Sequence, residues 1–217
     1  MGGACSPAST RRNQFRSTSR LIDIFEGRPQ LIIYHFMFHP EWKEGCSSCT
    51  AGTDELSPGF MEHLHVRDTS YAMVSRAPLA KLQRWKASRG WDLPWYSSFG
   101  SDFNFDFGAT IDASRLRRHN YRSLDEYAAA GQESMKTADQ PYDMPGRSCF
   151  LQADGRVFHT YSQYARGLES TVGSYYFLDL ITSSISPLSD GRRSGRSPPA
   201  AAGPPGPPLP TSHREFQ

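Results

Sequence analysis

The chain predicts an α/β domain, a sheet with parallel strands at its centre, an antiparallel hairpin at one edge and helices on its flanks. Three observations carry that expectation. Residues 31–38 (LIIYHFMF) and 69–75 (TSYAMVS) are continuous apolar runs of strand length, rich in β-branched and aromatic residues, the pattern of strands buried on both faces. Residues 39–68 lie between them, ample for the crossover that joins parallel strands. Finally, Asp154-Gly155 divides SCFLQADGRVFHTYS into two extended runs, a hairpin signal.

The elements follow in order. After LIIYHFMF come two cysteines, Cys46 and Cys49, at the mouth of a following helix. SPGFMEHLHVRD predicts a helix with Ser57 as its N-cap and Pro58 at its first helical position. TSYAMVS is the second central strand. RAPLAKLQRWKASRG predicts a helix starting at Pro78 and stopping at Gly90, with Leu79, Leu82 and Trp85 at helical spacing. WDLPWYSSF is a short extended segment. Residues 109–145 read as an insertion holding a helix in RSLDEYAAAGQESMK, the hairpin comes next, and TVGSYYFLDLI closes the domain as a helix. The domain therefore spans 21–182. It lies between a disordered basic head (1–20) and a disordered Pro-rich tail (183–217) containing SPPAAAGPPGPPLPT.

Bulk composition excludes more than it selects. With 24 basic and 22 acidic residues the net charge is +2, too small a field to indicate nucleic acid or an anionic membrane as partner. No apolar stretch approaches the 18 residues of a membrane span. The head, MGGACSPASTRRNQFRSTSR, lacks the apolar block of a secretory signal, and its Arg/Ser bias is a weak transit-peptide pattern. Four cysteines in 217 residues do not make a disulfide scaffold, so a reducing cytoplasm is the expected compartment.

In such a compartment a Cys-x-x-Cys pair is redox-active, metal-binding or merely buried. Open α/β sheets place their chemistry beyond the carboxyl ends of central strands, which is where Cys46 falls. A helix N-terminus offers unpaired N–H groups and partial positive charge, which favour thiolate over thiol. Lowering a cysteine from about 8.5 to about 7 takes it from a few per cent ionised to about half, a change worth about 2 kcal/mol. Cys46, nearest the helix start, is the candidate nucleophile and Cys49, one turn on, the resolving thiol. Zinc is the competing reading: Cys46 and Cys49 with His63 and His65, or with His35 or His39. The single residue between His63 and His65 is short of the usual three to five.

Several blocks together resemble a known family: DIFEGRPQLIIYHFMF, EGCSSC, VSRAPLAKLQRWKASRGW, LPWYSSFGSDFNFDFG and VFHTYSQYARGL. On these the chain is identified as a member of a thioredoxin-like family catalogued as domain of unknown function 899, whose members are described as dithiol-disulfide oxidoreductases. More distantly, the order of blocks resembles peroxiredoxins. The resemblance covers roughly residues 21–182. It implies a thioredoxin-like fold, an active Cys46–Cys49 pair, no cofactor, and as partners a disulfide-containing protein or small-molecule disulfide and a cellular thiol reductant. Two departures concern the segments flanking the pair. The stretch leading into DIFEGR is replaced by the Arg/Ser-rich head, and TAGTDELSPG after Cys49 contains Gly52 and few apolar residues, so the helix bearing the pair is expected to be short. Thioredoxins also carry a tryptophan directly before the first cysteine and a cis-proline facing the pair. Here Trp42 is four residues upstream, and Pro145 is the candidate for the facing proline.

Other residues are auxiliary candidates, each with a plainer structural role beside it. His39 could assist proton transfer at Cys46 or simply end the strand. Arg76, after Ser75 at the end of the second central strand, could hold a thiolate or anionic substrate, or form an ordinary ion pair. Trp42, Trp91, Trp95, Tyr96 and Phe99 are core or cleft lining; His159 and Cys149 are strand residues, and Cys5 lies in the head. Two further functions compete with the oxidoreductase. One is a non-catalytic thioredoxin-like module that binds a partner or senses redox state. The other is a peroxidase passing through a Cys46 sulfenic acid.

Overall fold

The structure is a computed structural model, and it describes residues 19–115, 118–119, 122–131, 133 and 141–174. All of these fall in the first of two units of the chain, Met1–Leu178. The head before residue 19, Cys5 with it, and the Pro-rich tail lie outside the described residues.

The chain enters through a one-turn helix α1 (Leu21–Ile24) and continues into strand β1 (Gln30–His35). Helices α2 (Ser47–Asp54) and α3 (Phe60–His65) lead to strand β2 (Thr69–Ser75), then come helix α4 (Leu79–Arg89) and strand β3 (Trp95–Ser97). A short α5 (Phe103–Asp106) and strand β4 (Thr110–Ile111) open the insertion, which carries β5 (Arg118–His119), β6 (Arg122–Ser123) and α6 (Leu124–Ala129) and closes with β7 (Tyr142–Asp143). The hairpin β8 (Gly146–Ala153) and β9 (Arg156–Tyr164) follows, then a 3-10 helix, Ala165–Thr171.

The main sheet has the order β3-β2-β1-β8-β9. β1 runs parallel to β2 and β2 to β3, whereas β8 is antiparallel to both β1 and β9. With the Cys-x-x-Cys segment directly after β1, this is the expected thioredoxin-like α/β arrangement. Every residue of β2 is buried, which matches its unbroken apolar run and its place between two partners. Because strand side chains alternate, β1 and β2 feed two cores on opposite faces. Leu31, Ile33, Ala72 and Val74 meet Ile24, Phe25 and Phe150 on one face. Tyr34, Tyr71 and Met73 meet Phe36, Phe38, Cys49, Leu82 and Trp95 on the other.

Local signals explain most boundaries. Gly90 stops α4 in the left-handed conformation at φ 68°, with its N–H on the Ala87 and Lys86 carbonyls. Asp154 (φ 49°) and Gly155 (φ 71°) are both left-handed, as a two-residue hairpin turn requires. Within the insertion Ser123 caps α6 reciprocally with Glu126: the Glu126 N–H donates to Ser123 Oγ (3.1 Å) and the Ser123 N–H to Glu126 Oε2 (2.6 Å).

Two expectations need correction. The apolar run 31–38 does not remain a strand, since β1 ends at His35 and Phe36 and Phe38 turn into the core as loop residues. The helix expected from Ser57 starts at Phe60 with Gly59 as N-cap. The Ser57 carbonyl accepts from the Phe60 N–H in a preceding turn, and Pro58 lies in that turn rather than in the helix. The helix expected at residues 171–181 follows a 3-10 helix that ends at Thr171; Gly173 and Ser174 are helical, and from residue 175 it lies outside the described residues.

Candidate active site

Backbone register brings the site together. β1 ends where His35 pairs with Val74 of β2 and with Gly146 of β8, so the carboxyl ends of β1 and β2 and the entry to β8, Pro145, share one edge of the sheet. The chain then makes a closed loop: the Cys46 N–H donates to the Met37 carbonyl at 3.0 Å. Gly45 is needed there, because a Cβ at this position would sit 2.8 Å from Phe36 Cε1 and 3.0 Å from Trp85 Nε1. Lys81 of α4 ties the loop down by donating to the carbonyls of Pro40 and Trp42, the latter at 2.8 Å.

Cys46 is the N-cap of α2, with extended backbone (φ −52°, ψ 129°), and its carbonyl accepts the Thr50 N–H at 2.9 Å. Its thiol is half-buried and lies 3.2 Å from Ser48 Oγ. Hydrogen bonding from the Cys49 thiol lowers the Cys46 pKa most. Burial opposes this, and the Ser48 hydroxyl and the backbone N–H groups of Cys49 and Ser48 add to it, leaving Cys46 at about 5. Cys49 is 2% exposed, and the same contact with Cys46, together with burial and the Cys46 charge, pushes its pKa well up. The first proton lost from the pair is therefore that of Cys46.

α2 is eight residues long, as short as expected, and its far end is anchored instead of extended. Asp54 pairs with Arg89 of α4 and accepts from Trp91 Nε1 at 2.9 Å. Glu55 accepts from the Ser174 N–H at 3.0 Å. Gly52 is buried facing Val172, where a Cβ would be in ordinary contact at 3.5 Å.

The auxiliary candidates separate. His39 accepts the Glu41 N–H at Nδ1 (3.2 Å) and lies against the Trp42 ring (6.0 Å between centroids); among the described residues no hydrogen bond joins it to either cysteine. Trp42 is 39% exposed on the same loop. Arg76 is occupied by the insertion: its Nη1 lies 3.1 Å from Asp143 Oδ1, which also accepts from Thr110 Oγ1 at 2.7 Å. Neither His39 nor Arg76 is among the groups that move the Cys46 thiol. Pro145 stands at the entry to β8, its carbonyl accepting the Ala165 N–H at 2.9 Å. Trp95 is fully buried, whereas Phe99 is 59% exposed. Among the described residues no group of three or more His, Cys, Asp or Glu is placed to hold a metal ion, and His63 and His65 sit in the last turn of α3.

Sequence reasoning missed a buried polar group behind Cys49. Tyr34 of β1 is buried in the same cluster as Cys49, and burial, with the Cys49 charge adding to it, pushes its hydroxyl up. The Arg147 guanidinium of β8 lies over the Tyr34 ring, 4.5 Å from its centroid, and donates to Thr171 Oγ1. Tyr71 of β2 lies beside the same guanidinium, its hydroxyl without a hydrogen bond of good geometry and burial pushing it up to about 12. The available signal was Arg147 itself, a charge inside a strand otherwise apolar enough to be buried, which must find partners.

No curated protein matches the chain. Among solved structures, a cysteine-to-serine mutant of Xanthomonas campestris peroxiredoxin Q is 11% identical over 70% of this chain and 79% of that one, with a TM-score of 0.44. The Xanthomonas campestris bacterioferritin comigratory protein is 10% identical over 70% of this chain and 79% of that one, with a TM-score of 0.43. Among the described residues no helix is long and apolar enough to cross a membrane. Residues 14–188 match the model of a family described as bacterial protein of unknown function (DUF899), and the chain belongs to that family.

Proposed function

We propose that this chain is a dithiol-disulfide oxidoreductase acting in a reducing cytoplasm. The observation that carries the reading is the asymmetry of the pair: a half-buried Cys46 thiol lowered to about 5 at a helix N-cap, backed by a buried Cys49 pushed the other way. With a pKa of about 5, Cys46 is about 99% thiolate at pH 7. Cys46 attacks one sulfur of a substrate disulfide and the other sulfur leaves as a thiol after taking a proton. Cys49, deprotonated, then attacks Cys46 Sγ in the mixed disulfide and releases the second substrate thiol. The substrate gains two electrons and the chain is left with a Cys46–Cys49 disulfide, which a cellular dithiol reduces to begin the next cycle.

The test is the pH dependence of alkylation at Cys46, with a glutathione redox titration of the same sample. The expected result is an alkylation midpoint well below 8.5 and a two-electron transition that disappears in Cys46→Ser. Two unreactive thiols, or no reversible disulfide between them, would instead leave a binding module with a thioredoxin-like fold. Rapid oxidation of Cys46 by hydrogen peroxide, without turnover of disulfides, would point to a peroxidase.

A further inference from the structure

The resolving step ends with a sulfur that must leave. The substrate sulfur bound to Cys46 departs with its electron pair, and a basic thiolate leaves slowly unless something receives its charge. The surroundings of Cys46 fix the direction it takes. Cys49 is 2% exposed and belongs to the core cluster, whereas the Cys46 thiol is half-buried and Ser48 is exposed. Displacement at sulfur needs the three sulfurs nearly in line, so an attack from the core sends the leaving sulfur outward.

The outward side holds a donor. Ser48 is the second residue of α2, and its Oγ lies 3.2 Å from Cys46 Sγ. While Cys46 is a thiolate, the hydroxyl donates to it. Once Cys46 is bound in a mixed disulfide its sulfur is neutral and accepts only weakly. The substrate sulfur then stands about 2 Å from Cys46 Sγ, so a turn about χ1 of the exposed serine carries its O–H from one sulfur to the other. A contact that strengthens as charge reaches the departing sulfur favours the transition state over the neutral disulfide, which is what accelerates a step.

We propose that Ser48 is a catalytic residue of the resolving step, donating its hydroxyl to the substrate thiolate as Cys49 displaces it from Cys46. This rests on the oxidoreductase reading. The Cys49 thiol gives its proton to solvent and the Cys49–Cys46 bond forms. The bond from Cys46 to the substrate sulfur breaks, and that sulfur leaves with the electron pair and takes a proton from solvent. Ser48 keeps its own proton throughout.

The experiment mixes the reduced full chain with glutathione disulfide, whose leaving thiol is basic, and separately with an aromatic disulfide whose leaving thiol is acidic. Acid quenching and peptide mass follow the Cys46 mixed disulfide as it forms and decays. In Ser48→Ala the glutathione adduct should decay about fivefold more slowly than in the wild type, the loss of one hydrogen bond at an exposed site. The aromatic adduct should slow by less than about twofold, because an acidic thiolate leaves readily without a donor. Ser48→Thr retains the hydroxyl and should decay as the wild type does with both. Ser48 is exposed, so neither variant opens a cavity in the core. Equal decay of the glutathione adduct in Ser48→Ala and the wild type overturns the proposal. So does equal slowing with both leaving groups, the mark of a disturbed helix start, and so does a Ser48→Thr chain as slow as Ser48→Ala. A wild type whose Cys46 adduct never gives way to a Cys46–Cys49 disulfide overturns the oxidoreductase reading itself, a result visible before any variant is made.

Discussion

Replacing Cys49 by Ala gives the sharpest reading of the Cys46 environment, because the Cys49 thiol is the largest influence holding the Cys46 thiolate. A hydrogen bond to a charged group is worth about 1.5–3 kcal/mol, and one pKa unit corresponds to 1.36 kcal/mol, so the substitution should raise Cys46 by about 1–2 units. The midpoint should nevertheless stay below that of an ordinary cysteine, since Ser48 Oγ at 3.2 Å and the backbone N–H of Ser48 still face the sulfur. With a pKa of about 5, roughly three-quarters of Cys46 is ionised at pH 5.5; a rise of about 1.5 units leaves roughly a tenth. Alkylation by a small haloacetamide should therefore slow by about eightfold at pH 5.5 and hardly at all at pH 8. The assay follows modification at Cys46 by mass spectrometry in a Cys5→Ser background, with Cys46→Ser as the control for Cys149. A midpoint that stays within a few tenths of a unit in Cys49→Ala would refute the assignment of the donor. So would a wild-type midpoint above 8.

Other expectations concern the scaffold. Arg76→Ala should cost about 3 kcal/mol in urea unfolding, because it strands the buried Asp143 carboxylate, whose Oδ2 already lacks a partner. Gly146→Ala should destabilise by about 1–3 kcal/mol, since its Cβ would lie 2.6 Å from Tyr164 Cδ1 and 3.3 Å from the Gln163 carbonyl; a loss under 0.5 kcal/mol would mean the hairpin shifts freely. His35 is buried, and burial lowers it to about 3. The unfolded chain binds its proton from about 6.5 downward and the folded chain does not, so stability is full above pH 6.5 and declines toward pH 3. Between pH 6.5 and 4.5 this one group should account for about 2–3 kcal/mol, a slope that His35→Gln should remove from urea titrations.

Much of the sheet was legible in the sequence because burial on both faces writes itself as an unbroken apolar run. TSYAMVS coincides with β2 residue for residue, and Asp154-Gly155 marks its turn because only left-handed residues close it. LIIYHFMF overran for the same reason: core residues on a loop carry the same apolar signature as a strand, and nothing local distinguishes Phe36 from Ile33. Ser57 and Pro58 misled because a turn before a helix uses the same residues as its cap. At the site, the two cysteines and the helix start could be read from spacing alone. Arg147 and Tyr71 could not be assigned to it, since their approach to Tyr34 depends on β8 pairing with β1 and β2 pairing on the other side, contacts between residues more than thirty positions apart. Arg76 looked available because its partner Asp143 lies at the far end of the insertion.

The close seat of Gly45 against Trp85 has an optical consequence. Trp85 and Cys46 both pack against the same apolar cluster, which also holds Trp95 with Trp91 on its ring, so this region is its own light source. Closing a disulfide at Cys46 and Cys49 sets a sulfur–sulfur bond, an efficient quencher, in the same cluster as those rings. The oxidation state of the pair can then be followed by intrinsic emission, with no label attached to the chain.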